Sequence, residues 1–313
     1  MGIPFLKVIQ PGPLTTVQDL GRFGYLKFGL PPAGAADELS FRVANALVGN
    51  PPDSACIELT VAGGKFQALE GSTIAITGGN MKPKINGLPV SGWESLTLKE
   101  GDLLEFSLVS SGCRSYISVA GGIDVPQVLG SRSTYLLGNI GGFLGRPLKE
   151  GDTLLRGESS KALPRIFPKH FIPQFPPQIE LRVLLGPQED HFSSQGLKTF
   201  LQEEYRVSPH SNRMGYRLEG PQIETLKKGI ISDAIPLGSV QVSGDGQPII
   251  LLWDRQTTGG YPKIAVVIRP DIWKIAQAKP GDGVFFKKVG MEEALSLYGN
   301  YRSFLSSLDN LVQ

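Results

Sequence analysis

The stretch DRQTTGGYPK, residues 254–263, concentrates hydrogen-bonding chemistry in ten positions. Asp254, Arg255, Gln256, Thr257, Thr258, Tyr261 and Lys263 surround a Gly259–Gly260 pair, with the apolar runs PIILLW before and IAVVI after. Apolar flanks of this kind belong to buried strands, so the polar residues fall on a loop held at a fixed rim. An arginine fork matches a carboxylate or phosphate, and a lysine adds a compact positive charge. The hydroxyls and the amide suit an amide-bearing ligand, and glycine lets a ligand approach the backbone closely. Asp254 is the one acid within the stretch, against Arg255 and Lys263, so it reads as an anion site that lines the main cleft. Asp254, Arg255 and Lys263 are the candidate catalytic residues here.

Three further clusters share this chemistry. GPLTTVQDLGRFGY (12–25) carries Gln18, Asp19 and Arg22. AGGIDVPQVLGSRSTYLLG (120–138) carries Ser131, Arg132 and Thr134. SPHSNRMGYRLEGP (208–221) carries Arg213 and Tyr216. In each, an arginine stands among hydroxyls or amides and glycines. One such cluster alone reads as turns and caps. Four together favour a site for a small anionic or amide-bearing molecule, with Asp19 added to the candidate catalytic set.

Other chemistries are not supported. No phosphate-binding loop and no G-x-S-x-G nucleophile elbow occurs. His170, His191 and His210 lack a second ligand at metal spacing, so no metal site is expected. NMKPK (80–84) is similar to a biotin-attachment stretch, but Lys82 is followed by proline rather than methionine and reads as a surface turn. The net charge is +2 and 19% of residues are charged, which gives no nucleic-acid footprint and no block for an anionic membrane. Two cysteines, Cys56 and Cys113, do not make a disulfide scaffold and fit a reduced setting. No apolar run approaches the ~20 residues of a membrane span. The start, MGIPFLKVIQPGP, has no long apolar region of a signal peptide, and a cytoplasmic protein is expected.

The elements that must position these clusters are mostly strands. The chain has 39 glycines and 24 prolines among 313 residues, and β-branched segments such as 72–79, 115–122, 179–186 and 239–246 end in glycine. LKEGDLLEF (98–106), LKEGDTLLR (148–156) and AKPGDGVFF (278–286) share K-x-G-D followed by apolar residues. This is a turn that launches a strand, either a common device used three times or a trace of duplication. Helices are expected over 37–51, 188–205 and 291–313, the last with a stripe from Leu295 through Tyr298 to Leu308 that packs on the body. The segment 157–178 holds five prolines and reads as an extended linker. The expected division is 1–156, the linker 157–178, a second domain at 179–290 and a C-terminal helix at 291–313.

PGPLTTVQDLGRFGY, GLPPAGAAD, ANALVGNP, VAGGIDVPQVLGSRSTY, SNRMGYRLEGP and DRQTTGGYPKIAVV together resemble the allophanate hydrolase subunit 2 family, also called biotin-dependent carboxyltransferase subdomains A and B. The resemblance runs from residue 11 to about 286. Ala36 departs from the methionine the family often has before Asp37. The resemblance implies a mainly β fold of two tandem cyclophilin-like β-barrels with a few short helices. It also implies a role as the C-type subunit of an ATP-dependent 5-oxoprolinase, which opens 5-oxo-L-proline to L-glutamate together with homologues of the B-type and A-type subunits of that enzyme. ATP, with Mg²⁺, belongs to that assembled complex, where Asp19 or Asp254 is given a proton-transfer or Mg²⁺ role. The chain alone is expected to be silent, because it lacks nucleotide and nucleophile motifs. The alternatives in the family are a carboxyltransferase subunit of a biotin-dependent urea or amide carboxylase, and a regulator that antagonises a histidine-kinase inhibitor. The Gly-Ser-rich nucleophile motif of allophanate-cleaving amidases is absent from the sequence.

Overall fold

The computed structural model describes residues 2–159, 163–227 and 229–312. The chain is mainly β and divides into two compact units. The first comprises residues 1–22, 33–175 and 304–313; the second comprises 23–32 and 176–303. The division falls at 175/176, inside the proline-rich segment, of which 160–162 lie outside the described residues. Part of that segment is anchored on the first unit. Phe167 is buried and stacks on Trp93 with centroids 5.8 Å apart, and Arg165 Nη1 donates to the Ala46 carbonyl at 2.6 Å.

The first unit holds two sheets. One runs in the order Thr153–Arg156, Ile3–Gln10, Lys65–Ala68, Leu103–Glu105, Lys84–Ile85, Leu88–Pro89. The other runs Leu14–Gln18, Cys56–Thr60, Ser111–Val119, Ser72–Asn80, Ser95–Leu98. Their inward alternate residues, Phe5, Val8, Ile57, Phe66, Ile74 and Ile117 among them, form one apolar core. The second sheet carries helix α1, Glu38–Leu47, on top of it. Asp37 caps α1: its carboxylate accepts from the Ser40 N–H at 3.0 Å and from the Ser40 hydroxyl.

The second unit is a closed barrel of seven strands, in the order Gln178–Leu185, Lys263–Val267, Ser239–Val242, Pro248–Leu251, Gly215–Glu219, Tyr205–Val207, Gly283–Lys288. The parallel pairing of Gln178–Leu185 with Gly283–Lys288 closes it and removes the sheet edges. Leu181, Val183, Val240, Ile250 and Val284 fill its interior.

Three helical segments depart from expectation. In place of 188–205, α2 covers Ser194–Gln202, because Phe192 is extended and bridges Thr225 while the Ser193 hydroxyl caps the helix through the Gly196 N–H. Helix α3, Ile272–Ala276, lies in a segment with no helix expected. The C-terminal helix breaks at Ser307 into α4, Met291–Ser306, and α5, Leu308–Leu311. Its stripe is not uniformly packed: Leu308 is buried, whereas Leu295 is 62% and Tyr298 40% exposed. Among the described residues no helix is long and apolar enough to cross a membrane.

The three K-x-G-D segments adopt one structure. The lysine N–H donates to the aspartate carboxylate at 2.8, 2.7 and 2.8 Å for Lys99–Asp102, Lys149–Asp152 and Lys279–Asp282. Gly101, Gly151 and Gly281 have φ of +86°, +86° and +91°, and each donates its N–H to a neighbouring strand, at Ala68, Val8 and Val207. No atom lies within 4 Å of a Cβ added at any of the three. Substitution to alanine therefore meets backbone strain and no clash. Gly101→Ala, Gly151→Ala and Gly281→Ala should each destabilise the protein by about 1–2 kcal/mol. Urea unfolding followed by circular dichroism checks this; unchanged midpoints would show that the turns do not need a left-handed residue.

Candidate functional site

The polar clusters converge in pairs. In the first unit, the end of Leu14–Gln18 meets the loop at 131–134. Asp19, 7% exposed, accepts from the Gly21 N–H at 2.8 Å, from the Ser131 hydroxyl at 2.7 Å, from the Ser133 hydroxyl and from the Arg132 N–H. Gln18 is fully buried; its amide donates to the Thr16 hydroxyl and the Thr134 carbonyl, and its Oε1 has no partner among the described residues. Buried Arg22 donates to the Ser133 carbonyl, and the Thr134 hydroxyl donates to the Val17 carbonyl at 2.9 Å. Arg132 turns away, with Nε on the Val125 carbonyl and Nη2 3.7 Å from Asp124. The glycines at 141 and 142 make this packing possible: a Cβ at 142 would lie 1.9 Å from the Thr134 hydroxyl.

In the second unit, Arg213 and Asp254 form a buried bidentate pair at 3.1 and 3.0 Å. Lys263 is 2% exposed; its ammonium donates to Asp233 at 2.6 Å and to the Ala234 carbonyl at 3.1 Å. Asp233–Ala234 pairs with Thr258–Gly259 as a short ribbon, which brings the acid to the lysine. The Lys263 hydrogen bond holds the Asp233 carboxyl below its ordinary value. Arg255, 4% exposed, donates to the carbonyls of Ile235 at 2.8 Å and Leu252 at 3.1 Å, and makes no ion pair among the described residues. Burial, with the Arg269 charge added, pushes its pKa down to about 10.

Several expectations are corrected. Asp254 neutralises Arg213 rather than Arg255, and Lys263 has its own acid in Asp233. Gly259 does not leave room for a ligand: a Cβ there would meet Ile235 at 2.8 Å and Gln256 at 2.9 Å, so the glycine serves close packing of the ribbon. Both carboxylates expected to move protons or hold Mg²⁺ are already engaged, Asp19 by four donors and Asp254 by a guanidinium. Tyr216 is buried with its hydroxyl 3.2 Å from the Ala278 carbonyl, so it anchors the end of α3. Gln256, Thr258 and Tyr261 are exposed and Thr257 is half-buried. Two cavities, of about 610 and 380 Å³, lie in the first unit, and none of the predicted site residues lines either.

A further polar cluster has no counterpart among the sequence candidates. Beneath α1, the Tyr116 hydroxyl donates to Glu58 Oε2 at 2.8 Å and accepts from the Asp37 N–H at 2.8 Å, while Arg114 Nε lies 3.7 Å from Glu58 Oε1. Glu58, Tyr116 and Asp37 are each 0% exposed. Burial, reinforced by the charges of Glu58 and Asp37, pushes the Tyr116 phenol well above its ordinary value. The available signal was a charge inside each β run, Glu58 in CIELT and Arg114 in SGCRSYISV. Cys56 lies beside this cluster, and burial pushes its thiol up to about 12.

The chain matches the model of the family described as carboxyltransferase domain, subdomain A and B, over residues 28–288, and it belongs to that family. It is 36% identical to the urea amidolyase of Saccharomyces cerevisiae over 324 residues, which takes in 97% of this chain and 18% of that protein. It is 37% identical to the C subunit of 5-oxoprolinase from Escherichia coli over 305 residues, 97% of each chain. The Kluyveromyces lactis urea carboxylase structure superposes with a TM-score of 0.93 at 32% identity, covering all of this chain and 30% of that one. The chain thus spans under a fifth of the urea amidolyase it matches.

Two outcomes follow from the buried groups. Arg213→Met leaves Asp254 charged and unpaired, and should cost about 3–5 kcal/mol, part of it restored in Arg213→Met/Asp254→Leu. Thermal unfolding of the three proteins measures this; a full-cost double variant would refute the pairing. Cys56 should not react with iodoacetamide at pH 8 in the folded chain and should react once unfolded in urea, as peptide mass mapping would show. Labelling at the rate of a free thiol would contradict its burial.

Proposed function

We propose that this chain is the C-type subunit of an ATP-dependent 5-oxoprolinase complex, which opens 5-oxo-L-proline to L-glutamate in the cytoplasm. The observation that carries this reading is similarity: the chain is 37% identical to the C subunit of E. coli 5-oxoprolinase over 97% of that protein. The geometry that supports it is Arg255, a guanidinium held by two carbonyls with no acid partner among the described residues. Such a group attracts a carboxylate, which 5-oxoproline carries. Lys263, in the same loop, gives a second positive charge for an oxygen that becomes anionic as the lactam opens. Asp254 and Asp19 act here as positioning residues that hold their loops.

In this reading ATP and Mg²⁺ belong to the assembled complex with the B-type and A-type partners, and no step is assigned to them on this chain. The family match and the likeness to the K. lactis urea carboxylase favour a second reading, a carboxyltransferase subunit of a biotin-dependent carboxylase. In that reading Arg255 and Lys263 face an amide acceptor and a carboxylated carrier.

Co-expression with the B-type and A-type partners, followed by an assay of 5-oxoproline-dependent ADP release, tests the first reading. The complex should turn over and the chain alone should not. Arg255→Ala and Lys263→Ala in the complex should each lower the rate by roughly 10²–10³ without loss of fold. Turnover by the isolated chain, or wild-type rates in both variants, would overturn the assignment. Carboxyl transfer with a biotin carboxylase partner, and no ADP release with 5-oxoproline, would establish the second.

A further inference from the structure

Lys263 is held at both its main chain and its side chain, and one further residue takes part in both. The strands Gln178–Leu185 and Lys263–Val267 are paired, with Leu185 opposite Ala265. Just past the end of the first strand, the Gly186 N–H donates to the Ile264 carbonyl at 2.8 Å. A Cβ at 186 would lie 2.1 Å from the Lys263 carbonyl oxygen, so the two backbones are locked together here. Two residues on, half-buried Gln188 accepts from the Lys263 N–H through Oε1 at 3.2 Å. That contact fixes which way the carboxamide points, because an N–H needs an oxygen opposite it, and it leaves the Nε2 end as donor. The Gln188 side chain also bonds the Asp233 carboxyl, whose main partner is the Lys263 ammonium at 2.6 Å. The Lys263 bond, with smaller contributions from the Ala234 N–H and from Gln188, holds this carboxyl below its ordinary value. Gln188 thus joins the main chain of the lysine to the side chain of the acid that pairs with it.

We propose that Gln188 is a positioning residue that acts through Lys263, setting where its ammonium sits and how far Asp233 turns away from it. This rests on the reading above, in which Lys263 meets an oxygen that becomes anionic as the lactam opens. A lysine carries its charge on a flexible four-carbon stem, so the charge is only as well placed as its anchors. Gln188 supplies one anchor at the root of the stem and a second on the acid at its tip. The effect of losing them falls on one kinetic parameter. Arg255 meets a carboxylate that the substrate carries throughout, whereas Lys263 meets a charge that develops only in the transition state. A misplaced ammonium therefore lowers kcat and leaves KM nearly unchanged.

Two measurements test this, one on the chain alone and one on the complex. In the full chain with carboxyl-labelled aspartate, the Asp233 resonance is assigned by its loss in Asp233→Asn and titrated by carbon NMR. Asp233 should titrate below the ordinary carboxylate range, higher in Gln188→Ala, and higher again in Gln188→Glu, where a second carboxylate repels it. An unchanged titration in both variants would overturn the proposal. In the complex with the B-type and A-type partners, Gln188→Ala should lower kcat for 5-oxoproline about three- to tenfold, the range of one neutral hydrogen bond, with KM within about twofold. In a Lys263→Ala background the same substitution should cost nothing further, because the lysine it acts through is gone. An equal loss in that background, or a change confined to KM, would show general support of the loop and would also overturn the proposal. A wild-type complex that does not turn over 5-oxoproline removes the reading of the reaction, while the carboxyl titration still decides whether Gln188 holds the pair.

Discussion

A carboxylate taken out of water must find donors, and at the polar loops of each unit an aspartate makes this demand on the fold. Asp19 is satisfied by the loop at 131–133, more than 110 residues away in sequence. Asp254 is satisfied by Arg213, 41 residues earlier. An unpaired buried carboxylate would cost several kcal/mol, which is a large share of a typical domain's stability. The loops therefore cannot drift independently: moving 131–133 strands Asp19, and moving 213 strands Asp254. The strands on either side of each loop inherit this fixed geometry. The glycines at 141 and 142 follow from the same requirement, since the loop that encloses Thr134 and Arg22 has no room for a Cβ.

Much of this was legible in the sequence, and the rest was hidden for identifiable reasons. The K-x-G-D turns were readable because a turn is local: glycine, aspartate and the next strand lie within five residues. The same holds for α1, where Asp37 caps and Gly49 ends the helix. The polar clusters were visible by composition, but their pairing was not. Whether Asp254 meets Arg255 beside it or Arg213 far away depends on the register of Gly215–Glu219 against Pro248–Leu251, which composition does not encode. Asp233 was missed as the partner of Lys263 because it lies 30 residues earlier and is brought over only by a two-residue ribbon. Glu58 and Arg114 were missed because a charge within a β run reads as an outward residue, and here the outward face is covered by α1.

The charge pattern of the loop at 254–263 also changes meaning once the partners are known. By sequence it holds two positive charges against one acid. In the fold, Asp254 and Lys263 are each matched and Arg255 alone is held by neutral carbonyls. A guanidinium pushed down to about 10 is one whose charged state the surroundings under-support. Neutral carbonyls satisfy its N–H geometry without cancelling its charge. An anionic ligand adds what the carbonyls lack, and this is why Arg255, rather than the better-paired Arg213, carries the proposed ligand contact.

The two ion pairs of the second unit differ in what they permit. The Arg213–Asp254 pair is closed on both sides, with side chains 4% and 6% exposed, so neither partner can turn to water. Opening it strands two charges at once, and it behaves as a fixed strut. In the Lys263–Asp233 pair the lysine is 2% exposed but the aspartate 52%. Asp233 can rotate into solvent with its charge hydrated, leaving the ammonium on the Ala234 carbonyl. A competing anion at Lys263 therefore displaces a hydrated side chain rather than breaking a buried pair. In the proposed reaction the lysine is the cation that can change partners as negative charge develops, while Arg213 and Asp254 keep the rim still around it.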